Sequence, residues 1–109
     1  MFLFLEVKIN SIHYQVEDIL IEKLDVSQHC VKNWWNVGRM LEISDSKLQS
    51  MKQEQNREGG SPTKCLLGYL GTLENDLSLR KFVETTHKLG RHDICRAIYE
   101  FYQSQETPV

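Results

Sequence analysis

The sequence contains little of what would indicate a disulfide-linked, membrane-spanning or nucleic-acid-binding protein. It has two prolines, three cysteines and a formal net charge of −2 in 109 residues. Three cysteines cannot all pair within one chain, and this charge provides no positive field for a phosphate backbone. No apolar stretch is long enough to cross a bilayer, and no basic residue precedes the short apolar start. We therefore expect one cytoplasmic domain with reduced, packed thiols, either alone or as the intracellular part of a receptor or scaffold.

The sequence does contain a series of short amphipathic segments. After Ser78, apolar or small residues recur at helical spacing up to Gly90, and the pattern restarts immediately afterwards. The inward positions of these two segments are Leu79, Phe82, Val83, Thr86, Leu89, Ile94, Ala97, Ile98 and Phe101. This pattern predicts two helices joined by almost no loop.

The same periodicity predicts four earlier helices. The first spans about residues 11–25 and is capped by Asn10 or Ser11, and the second spans about residues 31–42. The third begins at Ser44. The fourth runs from Pro62 to about residue 74 and buries Leu66, Tyr69, Leu70 and Leu73. Within the second helix, Trp34 lies in the apolar stripe. A glycine inside a helix, such as Gly38, lowers the stability of that helix by about 1 kcal/mol relative to Ala. Its presence here predicts a close crossing with another helix. The expected fold is an all-α bundle of six helices.

The first residues have weak strand character, because Val7 and Ile9 alternate with charged residues over Phe2–Ile9. A single strand is not stable alone. It either packs on the bundle as an extended arm or is the remnant of a β-rich module upstream. We accordingly divide the chain into an arm (1–10), a helical bundle (11–103) and a frayed tail (104–109).

Four groups of residues, in order and spacing, resemble the death domain, a six-helix antiparallel Greek-key bundle of the death-fold superfamily. They are Trp34, Val37, Gly38, Leu41 and Ile43; Leu48 and Met51; Leu66, Leu67 and Tyr69; and Ser78, Leu79 and Phe82 followed by Leu89, Gly90, Arg91, Asp93 and Ile94. Two positions depart from the family pattern, with Glu42 where Gly is usual and Gly38 where Ala is usual. The resemblance implies docking onto other death-fold domains, homotypic or heterotypic.

Four shorter matches are most similar to the branch found in netrin receptors of the uncoordinated-5 type. They are Ser61-Pro62-Thr63, Leu66-Leu67, Leu77-Ser78-Leu79 and Gly90-Arg91-His92. Receptors of that branch carry a β-rich module just before the death domain, which would suit the N-terminal strand. The resemblance thus allows a second function, an autoinhibitory or structural domain that packs against such a module within one chain.

Charges of opposite sign are concentrated in different segments. Residues 16–25 contain four acids and one lysine, a net charge of −3, whereas residues 31–57 contain five bases and three acids, a net charge of +2. The candidate partner-binding residues are Glu17, Asp18, Glu22 and Asp25 on one side and Arg39, Lys47, Lys52 and Arg57 on the other, with Trp35 and the Arg91–His92 corner secondary. One interpretation is that both faces are simply exposed to solvent. The other is that the acidic face of one copy docks onto the basic face of the next copy.

No pattern of catalytic or ligand-binding residues is specific. His29-Cys30 and His92-x-x-Cys95 lack the four compact ligands of structural zinc, and Gly59-Gly60 lacks the Lys of a phosphate loop. A Cys–His nucleophile would need Cys30 or Cys65 beside His13 or His87. We therefore predict no catalytic, cofactor-binding or metal-binding residue, and a protein that is not an enzyme.

Overall fold

Six α-helices make up most of the described chain, which comprises residues 6–26, 31–73 and 77–106 of a computed structural model. They are α1 (Tyr14–Leu24), α2 (Trp34–Met40), α3 (Asp45–Lys52), α4 (Pro62–Leu70), α5 (Leu79–Lys88) and α6 (His92–Glu106). Short 3₁₀ turns occupy Ile9–Ser11 and Gln53–Asn56. No strand occurs in the described ranges, where the β-type pairing is an isolated bridge between Lys8 and Ser78. The predicted all-α fold with six helices is confirmed.

The helices pack around one apolar core. α1 lies against α4 and α6, α2 contacts α3, α4 and α5, and α5 packs along α6. The largest fully buried side chains include Leu20, Leu24, Leu48, Met51, Leu66, Leu70, Leu79, Phe82, Ile94 and Ile98. Burying each such side chain contributes roughly 1.5–3 kcal/mol relative to leaving it in water. None of the helices in the described ranges is both long and apolar enough to cross a bilayer.

Gly38 marks the predicted helix crossing. A Cβ atom at this position would lie 2.5 Å from Cδ2 of Leu48, a fully buried side chain on α3. Trp34, one turn earlier, is buried with 4% of its surface exposed, as the apolar stripe predicts. The close approach of α2 and α3 therefore leaves no room for a side chain at position 38 unless Leu48 shifts.

Two helix starts differ from the predictions because the capping residues differ. His13 caps α1, since its Nδ1 accepts a hydrogen bond from the backbone N–H of Gln15 (3.1 Å). Asn10 and Ser11 belong instead to the preceding 3₁₀ turn. Asn33 caps α2 with a capping box, accepting from the N–H of Trp35 while its own N–H donates to the Asn36 side chain. The second helix therefore starts three residues later than predicted.

The fourth helix is shorter than predicted, and this changes the environment of Leu73. Ser61 and Pro62 start α4 as expected, but the helix ends at Leu70 with Gly71 as its C-cap. Leu73 lies beyond this end and is 38% exposed, so the prediction that it is buried is wrong. Cys65 is exposed on α4, contrary to the expected packed thiol, and Cys95 is half-buried. Cys30 lies outside the described residues.

The segment before α1 is bound to the start of α5 by its main chain. The N–H of Ile9 donates to the carbonyl of Leu77 (2.7 Å), and the N–H of Leu79 donates to the carbonyl of Val7 (2.8 Å). Ile9 is 2% exposed. Residues 2–5 of the predicted strand lie outside the described residues. The division into arm, bundle and tail stays a prediction, and the helical conformation of α6 continues to Glu106.

Candidate protein-interaction surfaces

Three of the four predicted acidic residues lie on the outside of α1. Val16, Leu20 and Leu24 form the buried face of this helix. Asp18 and Glu22, one turn apart, are exposed, and Glu17 is half-buried. We call Glu17, Asp18 and Glu22 the α1 surface. Its carboxylates are available to a partner of positive charge.

Asp25, the fourth predicted acidic residue, turns towards the start of α4. Its carboxylate accepts hydrogen bonds from the N–H of Thr63 (2.9 Å) and from the hydroxyl groups of Ser61 and Thr63. A carboxylate in this position satisfies an N–H group that the first turn of a helix leaves unpaired, and it complements the helix dipole. Asp25 thus joins the end of α1 to α4. It is also exposed and lines the groove beside Trp35, so its role in a contact stays a prediction.

Arg91 has a comparable internal role. Only 9% of its surface is exposed. Its guanidinium donates two hydrogen bonds to the Asp93 carboxylate (3.0 Å each), one to the carbonyl of Lys23 (2.8 Å) and one to the carbonyl of Lys32. The hydrogen bond from Arg91 holds the pKa of Asp93 below its usual value. Arg91 therefore joins α6 to the end of α1 and to the chain before α2.

The predicted basic residues lie on and after α2 and α3, and most have weak partners within the chain. Nη1 of Arg39 lies 3.4 Å from Oδ1 of Asp45, and Nη1 of Arg57 lies 3.0 Å from Oε2 of Glu54. Nζ of Lys47 lies 4.8 Å from the centre of the Tyr69 ring. Exposed pairs of this kind contribute about 0–1 kcal/mol, so a partner could replace them at small cost. We call Arg39, Lys47, Lys52 and Arg57 the α2–α3 surface.

Trp35 and Lys52 line the same open groove between α2, α3 and the start of α4, with a volume of about 940 Å³. Gln49, Gln55 and Pro62 line it as well. Trp35 is half-buried and packs edge-on against Trp34, with ring centres 5.6 Å apart. The structure therefore brings the predicted aromatic contact residue together with one of the predicted basic residues.

Glu42 follows the end of α2 in a left-handed backbone conformation, with φ of 65°. The N–H of Glu42 donates to the carbonyl of Arg39, and the N–H of Ile43 donates to the carbonyl of Gly38. These two bonds define a Schellman motif, in which Gly usually takes the left-handed position. A non-Gly residue there costs about 1 kcal/mol or more. The departure from the family pattern at Glu42 is the sequence signal for this strain, although Glu42 was not a candidate site residue.

The described histidines contact other aromatic rings. The ring of His13 stacks on Tyr14 and lies 5.3 Å from the ring of Phe101, and His87 meets His92 with ring centres 4.2 Å apart. Within residues 6–26, 31–73 and 77–106, no group of three or more His, Cys, Asp or Glu could hold a metal ion. His29 and Cys30 lie outside the described residues.

The six-helix bundle places these chemically active side chains on its outer surface, which is the form of a small helical domain. The chain belongs to the death-domain family, because the Death domain family model matches residues 17–102. Comparison with curated proteins and with solved structures gave no match. Death domains are protein-interaction modules of signalling, and this chain is a module of that kind. The predicted membership of the family is confirmed.

Proposed function

We propose that this domain is a non-catalytic docking module that binds other death-fold domains, including further copies of itself, to assemble signalling complexes. Its α1 surface would contact the α2–α3 surface of the next domain. The observation that carries the proposal is that these two surfaces, of opposite sign, lie on different helices of one body. Unlike surfaces on one body form heterologous contacts, which extend into rings or helical assemblies.

Each individual contact would have low affinity, and clustering of several domains would raise the overall affinity. Charge complementarity mainly selects partners and accelerates association. Lys52 and Trp35 in the shared groove would supply the cation and the aromatic anchor, since Trp is enriched among residues that dominate binding energy. Bringing several domains together on a receptor or scaffold raises their effective concentration without any new contact.

Reversing the charge of the α2–α3 surface tests this proposal. The variants Lys52→Glu and Arg39→Glu should abolish capture of purified death-fold domains, because the acidic partner surface would meet a like charge. Both residues are exposed, so helicity and melting temperature should stay nearly unchanged. Arg96→Glu, on the exposed part of α6, is the matched control and should capture normally. Undiminished capture by Lys52→Glu would remove the α2–α3 surface from the proposal.

We also propose a cytoplasmic location, as the intracellular part of a receptor or scaffold, with a role in apoptotic, innate immune or receptor signalling. The matches at Ser61-Pro62-Thr63, Leu77-Ser78-Leu79 and Gly90-Arg91-His92 support the uncoordinated-5 branch.

The main-chain pairing of Val7 and Ile9 with Leu77 and Leu79 favours a second candidate function. A chain entering the bundle through this pairing would hold an upstream β-rich module close to α5, where the module could mask the bundle. Hydrogen exchange on a longer chain tests this autoinhibitory arrangement. Removing the module should lower the protection of amides in α5 and in α1, which follows the paired segment, if the two parts pack together, and should leave it unchanged if they do not.

A further inference from the structure

The end of α4 and the start of α5 form a corner that holds an extended segment of the chain. The carbonyl of Leu77 accepts a hydrogen bond from the N–H of Ile9 (2.7 Å), and the N–H of Leu79 donates to the carbonyl of Val7 (2.8 Å). Leu79 is the first residue of α5, so the helix itself provides no acceptor for its N–H. This site, which we call the α4–α5 corner, therefore presents one acceptor and one donor to an antiparallel strand.

The side chains of the bound segment fit the corner at alternate positions. Ile9 is 2% exposed and Val7 is half-buried, whereas Lys8 between them is exposed. Oε1 of Glu6 lies 3.1 Å from Nε of Arg80, in the first turn of α5. The corner thus suits an extended segment in which an acid precedes two apolar residues separated by one exposed residue.

Gly71, the C-cap of α4, allows the segment to pass close to the helix end. A Cβ atom at this position would lie 2.8 Å from Cβ of Asn10, and Nδ2 of Asn10 donates a hydrogen bond to the carbonyl of Gly71 (3.5 Å). The φ of Gly71 is −70°, which any residue adopts, so its own backbone does not require glycine. The close passage of the segment is therefore the reason for a glycine here.

Residues 6–12 occupy the corner within one chain, and we call them the strap. The strap precedes residues 17–102, which the family model matches. Ile12 and His13, both in extended conformation, join it to the start of α1. Because this connection is short, the strap has a high effective concentration at its own corner. A segment from another molecule can bind there only when the strap has been released.

We propose that the α4–α5 corner is a binding site for the strap of a second copy, which occupies it when the corner's own strap is released. A second copy is the occupant because its residues 6–12 are the sequence that the corner holds in this structure, so the same contacts form between copies. Exchange of an identical element is a low-cost route to a dimer. The exchanged straps would link two bundles through residues that belong to neither the α1 surface nor the α2–α3 surface.

Two complementary variants of the full chain test this exchange. Ile9→Asp releases the strap and leaves the corner intact, because a carboxylate in place of the buried side chain is unfavourable. Gly71→Leu blocks the corner and leaves the strap intact, because the new side chain meets Asn10. Both variants also carry Lys52→Glu, which removes the contact of the proposed function. In sedimentation velocity an equimolar mixture should form a one-to-one complex, and each variant alone should associate at least about tenfold more weakly.

A fluorescent peptide of residues 6–13 measures binding at the corner directly. It should bind the full-chain Ile9→Asp variant and bind the wild type at least about tenfold more weakly, because the wild-type strap competes within the chain. A peptide with Ile9→Asp should not bind. A peptide with Ser11→Ala is the matched control and should bind normally, since Ser11 is exposed and its hydroxyl bonds to Asn10 within the strap. If the Ile9→Asp variant is unfolded, saturating peptide should restore its helicity in circular dichroism.

The outcomes decide the proposal independently of the proposed function. If the peptide neither binds the Ile9→Asp variant nor restores its helicity, the corner is not a binding site and the proposal is overturned. If the peptide binds but the mixture forms no complex, a second copy is not the occupant, which also overturns it. Peptide binding together with a one-to-one complex supports it. Capture of death-fold domains by the wild type and by Lys52→Glu tests the proposed function separately.

Discussion

Charged side chains have two different roles in this domain. Asp25 and Arg91, which we call the inward charges, hydrogen-bond to backbone groups of distant segments, although only Arg91 is buried and Asp25 is exposed. Asp18 and Lys52 extend from the surface. All four were candidate contact residues because net charge along the sequence does not distinguish the two situations. The inward charges connect helix ends through hydrogen bonds, and outward charges remain available for recognition.

The two kinds of charge should therefore respond differently to substitution. A charge that is hydrogen-bonded to backbone groups is costly to remove, because its partners are left without hydrogen bonds. An exposed charge contributes little to folding, so its reversal alters mainly encounters with other proteins. The first two stability predictions below compare the inward charges with exposed residues of the same type outside this set, and the third concerns the ionisation of Asp93.

The largest effect is expected for Arg91→Ala. This change leaves the carbonyls of Lys23 and Lys32 without their donor, and leaves Asp93 with Lys23, 3.9 Å away, as its remaining cation. We expect a loss of about 3 kcal/mol in the free energy of unfolding, measured by urea denaturation. The melting temperature should fall by roughly 10–20 °C.

Arg91→Lys sharpens this prediction. A lysine keeps the charge but cannot reproduce the forked hydrogen bonds, so most of the loss should remain. Arg96→Ala, at an exposed position on the same helix, should change stability by no more than about 0.5 kcal/mol. Equal effects at positions 91 and 96 would contradict the distinction between inward and outward charges.

An intermediate effect is expected for Asp25→Ala. The substitution removes the acceptor for the N–H of Thr63 and for two hydroxyl groups at the start of α4. We expect a loss of about 1 kcal/mol in unfolding free energy, because one N–H of the first turn loses its acceptor while Ser61 remains as the cap of α4. Asp18→Ala, on the exposed side of α1, is the control and should have almost no effect.

A double-mutant cycle tests whether the stability lost in Asp25→Ala comes from its hydrogen bond to Thr63. Asp25→Ala and Thr63→Val should be coupled by about 1 kcal/mol, since both remove the same hydrogen bond. Additive effects would show that Asp25 acts through something other than the α4 cap.

The core and the order of the helices followed from the sequence because hydrophobic periodicity is a local signal. Phe82, Ile94 and Ile98 are buried as their spacing predicts, and Gly38 meets Leu48 at a crossing inferred from its helical cost. The family pattern, with Gly usual at position 42, also contained a signal for the strain at Glu42, but no strain was predicted from it. These inferences needed only nearest-neighbour spacing or a local motif.

The inward roles of Asp25 and Arg91 could not follow from the same reasoning. The carboxylate of Asp25 binds a residue 38 positions away, and the guanidinium of Arg91 binds a carbonyl 68 positions away. Such pairings depend on how the helix ends meet in three dimensions. The segment Gly90-Arg91-His92-Asp93 matched the family pattern, but the match alone gave no indication that Arg91 points into the bundle.

The smallest predicted effect is a pH dependence at the Arg91–Asp93 pair. The hydrogen bond from Arg91 lowers the pKa of Asp93 from its reference value of 3.8, so the folded state favours the ionised carboxylate. The resulting stabilisation is present above pH 3.8 and is lost as the pH falls through the lower pKa of the folded state. Asp93 is about half exposed, which keeps the contribution small. Unfolding free energies of the wild type and of Asp93→Asn, measured on both sides of that pH, should therefore converge in acid.

In an Arg91→Lys background the same substitution should show a weaker convergence, because the forked hydrogen bonds that lower the pKa of Asp93 are missing. A constant difference between wild type and Asp93→Asn across the acid range would mean that Arg91 holds Asp93 by geometry alone.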